Sequence, residues 1–375
     1  MKKAILNIAF SALVAGGLFA CSDWTEPEPR NYFEPKSESY YAALRDYKKT
    51  EHQVTFGWFG NWTATGTSLR GSLMGLPDSV DFVSMWGNCF NVSPVKLEDL
   101  RQVRTLKGTK VLMCFIVANI GDQTTPYDVR ENWKENGFAS EEAAVNDFWG
   151  YVQGDEEKMD AAIRKYARSL IDTIDKYGWD GFDFDYEANY GASGSIAGPA
   201  SGDTGNPSVN RASRPNFKIF VDELSKYLGP KSGTGRLLVI DGEPQNMHPD
   251  TRDCFDYYII QAYSSYGDSD LDSRYTKLLK GLEANTPELI KMVSNKLIYC
   301  ENFEEVGYAT QGGKLNYRTR GGQAVPSLIG MAMWQPTTGY TKGGIGTYHM
   351  EYDYPNNPEY KWLRIATGIM NPFIQ

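Results

Sequence analysis

Residues 178–187 read GWDGFDFDYE, and the fold turns on how that run is placed. Side chains on an extended strand alternate between faces, so Phe182, Phe184 and Tyr186 point one way while Asp183, Asp185 and Glu187 point the other. The aromatic face needs a packed layer to cover it. The acidic face is harder to place, because an ionised carboxylate taken out of water costs several kcal/mol unless it is paired. Three aligned acids therefore share protons or serve chemistry, and burial with mutual repulsion suits them to keep a proton near neutral pH. A barrel of parallel strands answers both demands: the aromatics face surrounding helices, and the acids enter the interior and climb to the C-terminal mouth where barrel active sites lie. Glu187, last in the run, is then the natural general acid. Asp185, about 6.6 Å deeper along the strand, is placed to hold a substrate group or stabilise positive charge, with Asp183 tuning it from below. Asp180 has the opposite parity and is read as support for the strand.

Working outward, short β-branched or aromatic runs alternate with amphipathic stretches. Strands are expected near Gln53–Trp58, Phe82–Met85, Lys110–Val117, Gly181–Glu187, Leu237–Ile240, Tyr257–Ala262, Lys296–Cys300 and Gly330–Trp334. Helices are expected over Leu97–Val103, Glu156–Tyr177, Asn216–Leu228 and Tyr275–Ala284. In AAIRKYARSLIDTIDKYG, Ile163, Leu170, Ile171 and Ile174 share a face and Gly178 supplies the stop. Strands that alternate with helices run parallel. No GxGxxG follows the first strand, so a single (β/α)8 TIM barrel fits better than an open doubly wound sheet. The Gly/Ser-rich stretch Gly191–Ser213 is too long for an ordinary connection and is expected on the functional face.

Residues 1–20, MKKAILNIAFSALVAGGLFA, carry two lysines and an apolar stretch too short to span a membrane, which marks a secretory signal. Its ending, Leu-x-Ala before Cys21, resembles the bacterial lipobox and implies lipidation at Cys21. Ser22-Asp23 resembles the surface-export signals of some Gram-negative lipoproteins, so a lipid anchor on the outer membrane, facing outward, is expected. Residues 21–45 then form a polar tether, and residues 46–375 one catalytic domain. A net charge of −9 lacks the cation excess that holds phosphate backbones, which excludes nucleic acid as a partner. Cys89, Cys114, Cys254 and Cys300 lie in or near apolar runs such as VLMCFIV and read as buried free thiols. No CxxC pair or His cluster marks a metal site. The stretch GDSDLDS around Asp268, Asp270 and Asp272 lacks the glycine and glutamate of a calcium loop and reads as a solvated acidic turn. Neither a metal nor a cofactor is expected.

DGFDFDYE resembles the DxxDxDxE signature of glycoside hydrolase family 18, the chitinases and endo-β-N-acetylglucosaminidases, with Asp180, Asp183, Asp185 and Glu187 at its four acidic positions. The resemblance implies a barrel and cleavage that retains anomeric configuration with the substrate's own acetamido oxygen as nucleophile, an exception to the two-carboxylate scheme. It implies that Glu187 protonates the leaving oxygen and later activates water, and that Asp185 holds the 2-acetamido N–H while sharing a proton with Asp183. In YYIIQAYSSYG it implies that Tyr263 donates to the acetamido oxygen, with Gln261 beside it. In GMAMWQP it implies that Trp334 forms the floor under the −1 sugar. Trp58, Trp62 and Trp86, near the ends of the first two strands, are candidates for stacking on sugars, of which Trp58 and Trp86 are taken as substrate-binding. Where many members carry SxGG this chain reads CFIVANIGD, so no role is transferred to Asn119 or Asp122.

The sixth strand reads QAY in place of the chitinase-like MxYD, and no appended chitin-binding segment is evident. The expected activity is therefore cleavage of the GlcNAc-β-1,4-GlcNAc bond in N-linked glycans by a monomer, with a lean to complex biantennary antennae. A chitinase using the same residues is one alternative, and a catalytically silent surface glycan-binding protein on the same barrel is another. Such silent relatives usually lose the terminal acid or its neighbouring aspartate, and this chain keeps both.

Overall fold

The computed structural model describes residue 33 and residues 35–87, 89–201 and 205–372. The signal segment 1–20, Cys21 and most of the tether lie outside the described residues. Eight parallel strands close into a barrel: β1 (Val54–Phe59), β2 (Phe82–Met85), β3 (Lys110–Ile116), β4 (Gly181–Tyr186), β5 (Leu237–Gly242), β6 (Tyr257–Gln261), β7 (Leu297–Asn302) and β8 (Gly344–Tyr348). Each pairs with its neighbour in sequence, and β8 closes the ring on β1.

The alternation read in β4 divides two cores. Phe184 stacks on Phe217 at 5.2 Å and meets Phe220 edge-on, both from the helix Pro215–Leu224. That helix packs beside Glu156–Tyr177, whose buried face includes Ile163, Leu170, Ile171 and Ile174 and which ends at Gly178 in the left-handed conformation. The inner core is a smaller cluster of inward-pointing side chains, among them Phe56, Trp58, Phe82, Leu112, Cys114, Val239, Ile259, Ile298 and Cys300. Asp183, wholly buried, lies in register with Cys114 on one side and Val239 on the other. Enclosed by this largely apolar filling, Asp183 is shielded from solvent, so the acids next to it weigh heavily on its chemistry.

Asp180 clamps the strand starts. Its carboxylate accepts the Val111 N–H at 3.0 Å and pairs with Arg104 at 2.8 Å, while its carbonyl accepts the Leu237 N–H at 2.9 Å. β3, β4 and β5 are thereby tied at the end opposite the mouth. Asp180→Ala leaves the Val111 N–H without its acceptor, while Arg104, more than a third exposed and still bonded to the Gly178 carbonyl, is not stranded; a loss of about 1–3 kcal/mol is expected in a denaturant titration. Turnover by the folded fraction should not change. A variant as stable as the parent would contradict the clamp.

The eighth strand departs from expectation. Ser327–Met333 is a helix with Leu328, Met331 and Ala332 buried on one face, and the closing strand is Gly344–Tyr348. A short apolar run does not distinguish a buried helix from a strand, and glycines made the true strand look like a loop. Those glycines are required by contact: a Cβ on Gly344 would fall 2.1 Å from the Val54 carbonyl oxygen, and one on Gly346 2.8 Å from Cys300 Sγ.

The tether also ends earlier than residue 45. Glu38–Tyr47 is a helix capped by Ser37, with Tyr41 buried. Arg45 donates to the carbonyls of Thr105 and Leu106, and Lys48 to that of Val80, so the helix seats on the segments entering β2 and β3. Docked in this way, it brings the chain onto the barrel at the N-terminal end. The four cysteines are buried and free. The acidic turn proves to be the first turn of the helix Asp268–Gly281, and its charges are engaged: Asp268 with Tyr317 and the Arg320 N–H, Asp270 with Arg274, Asp272 with Arg320.

Candidate active site

A cavity of about 170 Å³ at the C-terminal mouth is lined by Trp58, Trp86, Ile116, Asp185, Glu187, Asp241, Gln261, Tyr263 and Tyr348. Asp185 and Glu187 reach it from successive inward positions of β4 and of the residue following it. Asp185 is 3% exposed, whereas Glu187 is only partly buried at the rim. Gly242 makes room for that rim acid: it adopts φ +82°, and a Cβ there would meet the Tyr186 carbonyl at 2.6 Å and Glu187 Cγ at 3.0 Å. The chain after Glu187 is latched down, because the buried Glu243 carboxylate accepts both the backbone N–H of Asn189 at 2.7 Å and its side-chain amide at 3.0 Å.

Beneath Glu187 lies a group of buried carboxyls. Asp185 is in register with Asp241 of β5, and Asp183 sits one inward step below. One carboxylate oxygen each of Asp183 and Asp241, with Cys114 Sγ, lie within 4.8 Å of one another. Gln261 Nε2 donates to Asp241 Oδ1 at 2.9 Å. Neither oxygen of Asp183, nor Asp185 Oδ1, nor Asp241 Oδ2 has a hydrogen-bond partner of the ordinary donor–acceptor kind. Burial is the leading cause that raises all three carboxyls. Asp183 is pushed up to about 6, opposed by neighbouring Ser84, Asp241, Cys114 and Trp58. Asp185 is raised further by the charges of Glu187 and Asp183, and Asp241 by those of Asp185 and Asp183. Carboxyls so close, without full donors, hold shared protons. This is the one grouping of metal-ligand type among the described residues. Its thiol is driven well above the usual range by burial and the adjacent acids, and so keeps its proton beside them.

The remaining wall is aromatic. The Tyr348 ring lies 5.6 Å from Trp86, 6.1 Å from Trp58 and 6.2 Å from Tyr263. Tyr263 is held in place by its neighbour: Ser264 takes φ +56°, and its N–H donates to the buried Glu301 carboxylate at 2.8 Å. Burial raises the phenols of both Tyr263 and Tyr348, so each keeps its proton and remains a donor.

Of the residues singled out in the sequence, Asp183, Asp185, Glu187, Tyr263, Gln261, Trp58 and Trp86 converge here. Trp334 does not. It follows the helix that replaced the expected strand, its Nε1 donates to Asp272 at 2.9 Å, and its ring packs on Tyr275 and Tyr299 in the outer core. Trp334→Phe is expected to cost about 1–3 kcal/mol of stability and to leave kcat/KM within twofold. A large fall in kcat/KM at unchanged Tm would show that its indole does reach the substrate. Trp62 likewise belongs to the outer core, donating to the buried Asp99 at 2.8 Å. Asn119 and Asp122 shape a loop: Asp122 accepts the N–H groups of Ala118 and Asn119, and Asn119 accepts that of Ser195. Of the stretch 191–213, residues 202–204 lie outside the described residues; residues 194–198 pack on this face through the Asn119 and Ala118 contacts, with Ile196 and Ala197 buried.

Asp241 and Tyr348 escaped the sequence reading. The expected strand Leu237–Ile240 stops one residue short of Asp241, which shares the parity of Leu237 and Val239 but is followed by Gly242, a residue common in turns. Tyr348 was hidden by the glycines before it. A larger cavity, about 700 Å³, opens at the opposite end among Gln53, Asp81, Phe82, Lys110, Leu237 and Tyr257. Its buried charges are already committed, His52 to Asp81 and Lys342 to Gln53 and two carbonyls; of its two acids Asp81 is held by His52 and the Thr55 N–H, and Glu51 is exposed.

The chain is similar to known proteins over most of its length. The family description glycoside hydrolase family 18, BT1044-like, matches residues 21–369. Endo-beta-N-acetylglucosaminidase F2 of Elizabethkingia meningoseptica is 25% identical over 353 residues, covering 88% of this chain and 85% of its own. A solved structure of BT1044 bearing a glutamate-to-glutamine substitution is 34% identical, with TM-score 0.73 over 92% of this chain and 96% of that one. The endo-β-N-acetylglucosaminidase of Cordyceps militaris shares the fold at 24% identity and TM-score 0.57, over 92% and 99% of the two chains.

Proposed function

The chain belongs to glycoside hydrolase family 18, and on that premise we propose that it cuts the GlcNAc-β-1,4-GlcNAc bond of N-linked glycans by retaining, substrate-assisted hydrolysis. One observation carries the reading: Glu187 at the rim and Asp185 directly beneath it face a single aromatic-walled cavity. The other carboxylate there, Asp241, is wholly buried and tied to Gln261, so no free carboxylate is left to act as nucleophile.

In this mechanism Glu187 donates its proton to the glycosidic oxygen as that bond breaks. Asp185 accepts the N–H of the 2-acetamido group, which directs the acetamido oxygen onto C1 and steadies the positive charge of the resulting oxazolinium. Tyr263 donates to that oxygen, and Gln261 fixes the neighbouring acid. Glu187, now ionised, removes a proton from the water that attacks C1, so two inversions leave the configuration retained. Tyr348, with Trp58 and Trp86, supplies the apolar surface under the sugar that Trp334 was expected to provide.

The similarity to endo-beta-N-acetylglucosaminidase F2 supports cleavage between the two core sugars. The lean to complex biantennary antennae rests on overall resemblance. We place the protein, as a monomer lipidated at Cys21, on the outer face of the outer membrane. The helix Glu38–Tyr47 seats at the barrel end opposite the catalytic mouth, so such an anchor turns the mouth away from the membrane. Proton NMR of a glycopeptide digest tests the mechanism: the β-hemiacetal of the released glycan is expected first, and initial α-hemiacetal would overturn it.

A further inference from the structure

Three facts about Asp241 are not used by that mechanism. It lies beside Asp185 in register on the next strand, where backbones run about 4.8 Å apart and both side chains point inward. Its Oδ1 accepts the Gln261 amide at 2.9 Å, which fixes that oxygen as an acceptor. Its Oδ2 and Asp185 Oδ1 are both wholly enclosed with no N–H or hydroxyl donor on them, and among the described residues the only groups that Asp241 can share a hydrogen with are the carboxyls of Asp185 and, one step deeper, Asp183. Two such oxygens on adjacent strands, out of reach of water, repel unless one carries hydrogen.

We infer that Asp241 is a positioning residue that stays protonated on Oδ2 and donates that hydrogen to Asp185 Oδ1, so that Asp185 remains an anion aimed at the acetamido N–H. The inference rests on the proposed role of Asp185. The proton remains on Asp241 throughout, so no co-reactant is needed and charge balances: one anion, Asp185, faces one developing cation in the sugar. Gln261 selects the arrangement, because an amide N–H directed at Oδ1 leaves only Oδ2 for the hydrogen. Burial and neighbouring charges raise both carboxyls, so the pair keeps a proton, and the Gln261 amide on Oδ1 of Asp241 is what assigns it to Asp241 Oδ2.

An aspartic acid acting as donor on one oxygen and acceptor on the other is copied by asparagine. Asp241→Asn can accept from Gln261 with its carbonyl and donate to Asp185 with its amide. It is expected to keep kcat/KM within about fivefold of wild type on a biantennary glycopeptide. Asp241→Leu, which has neither group, is expected to lower kcat by about 10- to 100-fold, the worth of a hydrogen bond to a charge, with KM little changed. On the pre-formed oxazoline of the same glycan, which bypasses ring closure, the leucine variant should lose less than about threefold.

Asparagine impaired as severely as leucine, at wild-type Tm, would overturn the donor role. So would a leucine variant of full activity. If the leucine variant fails to fold, the asparagine variant still decides, since a tenfold loss at wild-type Tm contradicts the inference. Asp185→Asn serves as the reference: if it cleaves the glycopeptide as well as wild type, the proposed role of Asp185 fails, whatever Asp241 does.

Discussion

Glu187→Gln should bind glycan and unfold at the parent's temperature while losing about 10³-fold or more in kcat, the range a positioned general acid supplies. The side chain keeps its volume and the amide can still meet a glycosidic oxygen, but it has no proton to give and cannot later take one from water. Among the described residues Glu187 forms no ion pair, and it sits at the rim above the buried acids, so removing its charge breaks no structural contact. Binding of a biantennary glycan by calorimetry, a thermal melt and a rate measurement on one preparation separate the outcomes. Loss of binding together with rate would make Glu187 a binding residue, and retained turnover would move the acid elsewhere.

Asp185→Asn should lower kcat on a glycopeptide by about 10²- to 10³-fold, because an uncharged amide no longer steadies the developing oxazolinium. The loss should shrink to tenfold or less when the oxazoline is supplied ready-made, since the group's main duty lies in forming that ring. Stability should not fall. Burial and the charges of Glu187 and Asp183 raise the Asp185 carboxyl in the folded protein, so its ionisation opposes folding. The sign follows from proton counting: the native state holds this proton to higher pH than the unfolded chain does, so the penalty grows as pH rises above the ordinary aspartate range. A neutral amide removes it, and the Tm of Asp185→Asn at pH 7 should equal or exceed that of wild type. A marked drop in Tm, or equal losses on glycopeptide and oxazoline, would contradict this account.

The barrel was legible because β4 states its environment twice, in aromatics that demand a helix layer and acids that demand an interior. The helix Glu156–Tyr177 was legible to the residue because its apolar period and Gly178 agree. The site was legible where a side chain follows strand parity, as Asp183, Asp185, Glu187 and Gln261 do. It was obscured where the backbone obeys contacts made far away in sequence. β8 is glycine-rich because Val54, Phe56 and Cys300 crowd it, so its terminal Tyr348 passed for loop, and Trp334 took its expected place. Asp241 is hard to read for a local reason: the Gly242 that resembles a turn signal is required by its left-handed backbone and by the Tyr186 carbonyl, with the Glu187 side chain close by. The helix Glu38–Tyr47 was taken for tether because a single buried side chain, Tyr41, and polar contacts to loop carbonyls hold it in place, leaving little apolar period to see.

Cleavage by Glu187 between the two core GlcNAc residues of N-glycans is read from both products at once by mass spectrometry. A high-mannose glycoprotein, a biantennary complex glycoprotein and a chitin oligosaccharide are each incubated with wild type and with Glu187→Gln. The account predicts that wild type alone releases glycans one GlcNAc short, with that sugar left on the protein, and that biantennary chains are the better substrate. Cleavage confined to the chitin oligosaccharide, intact glycans released without a residual GlcNAc, or equal release by Glu187→Gln would contradict it.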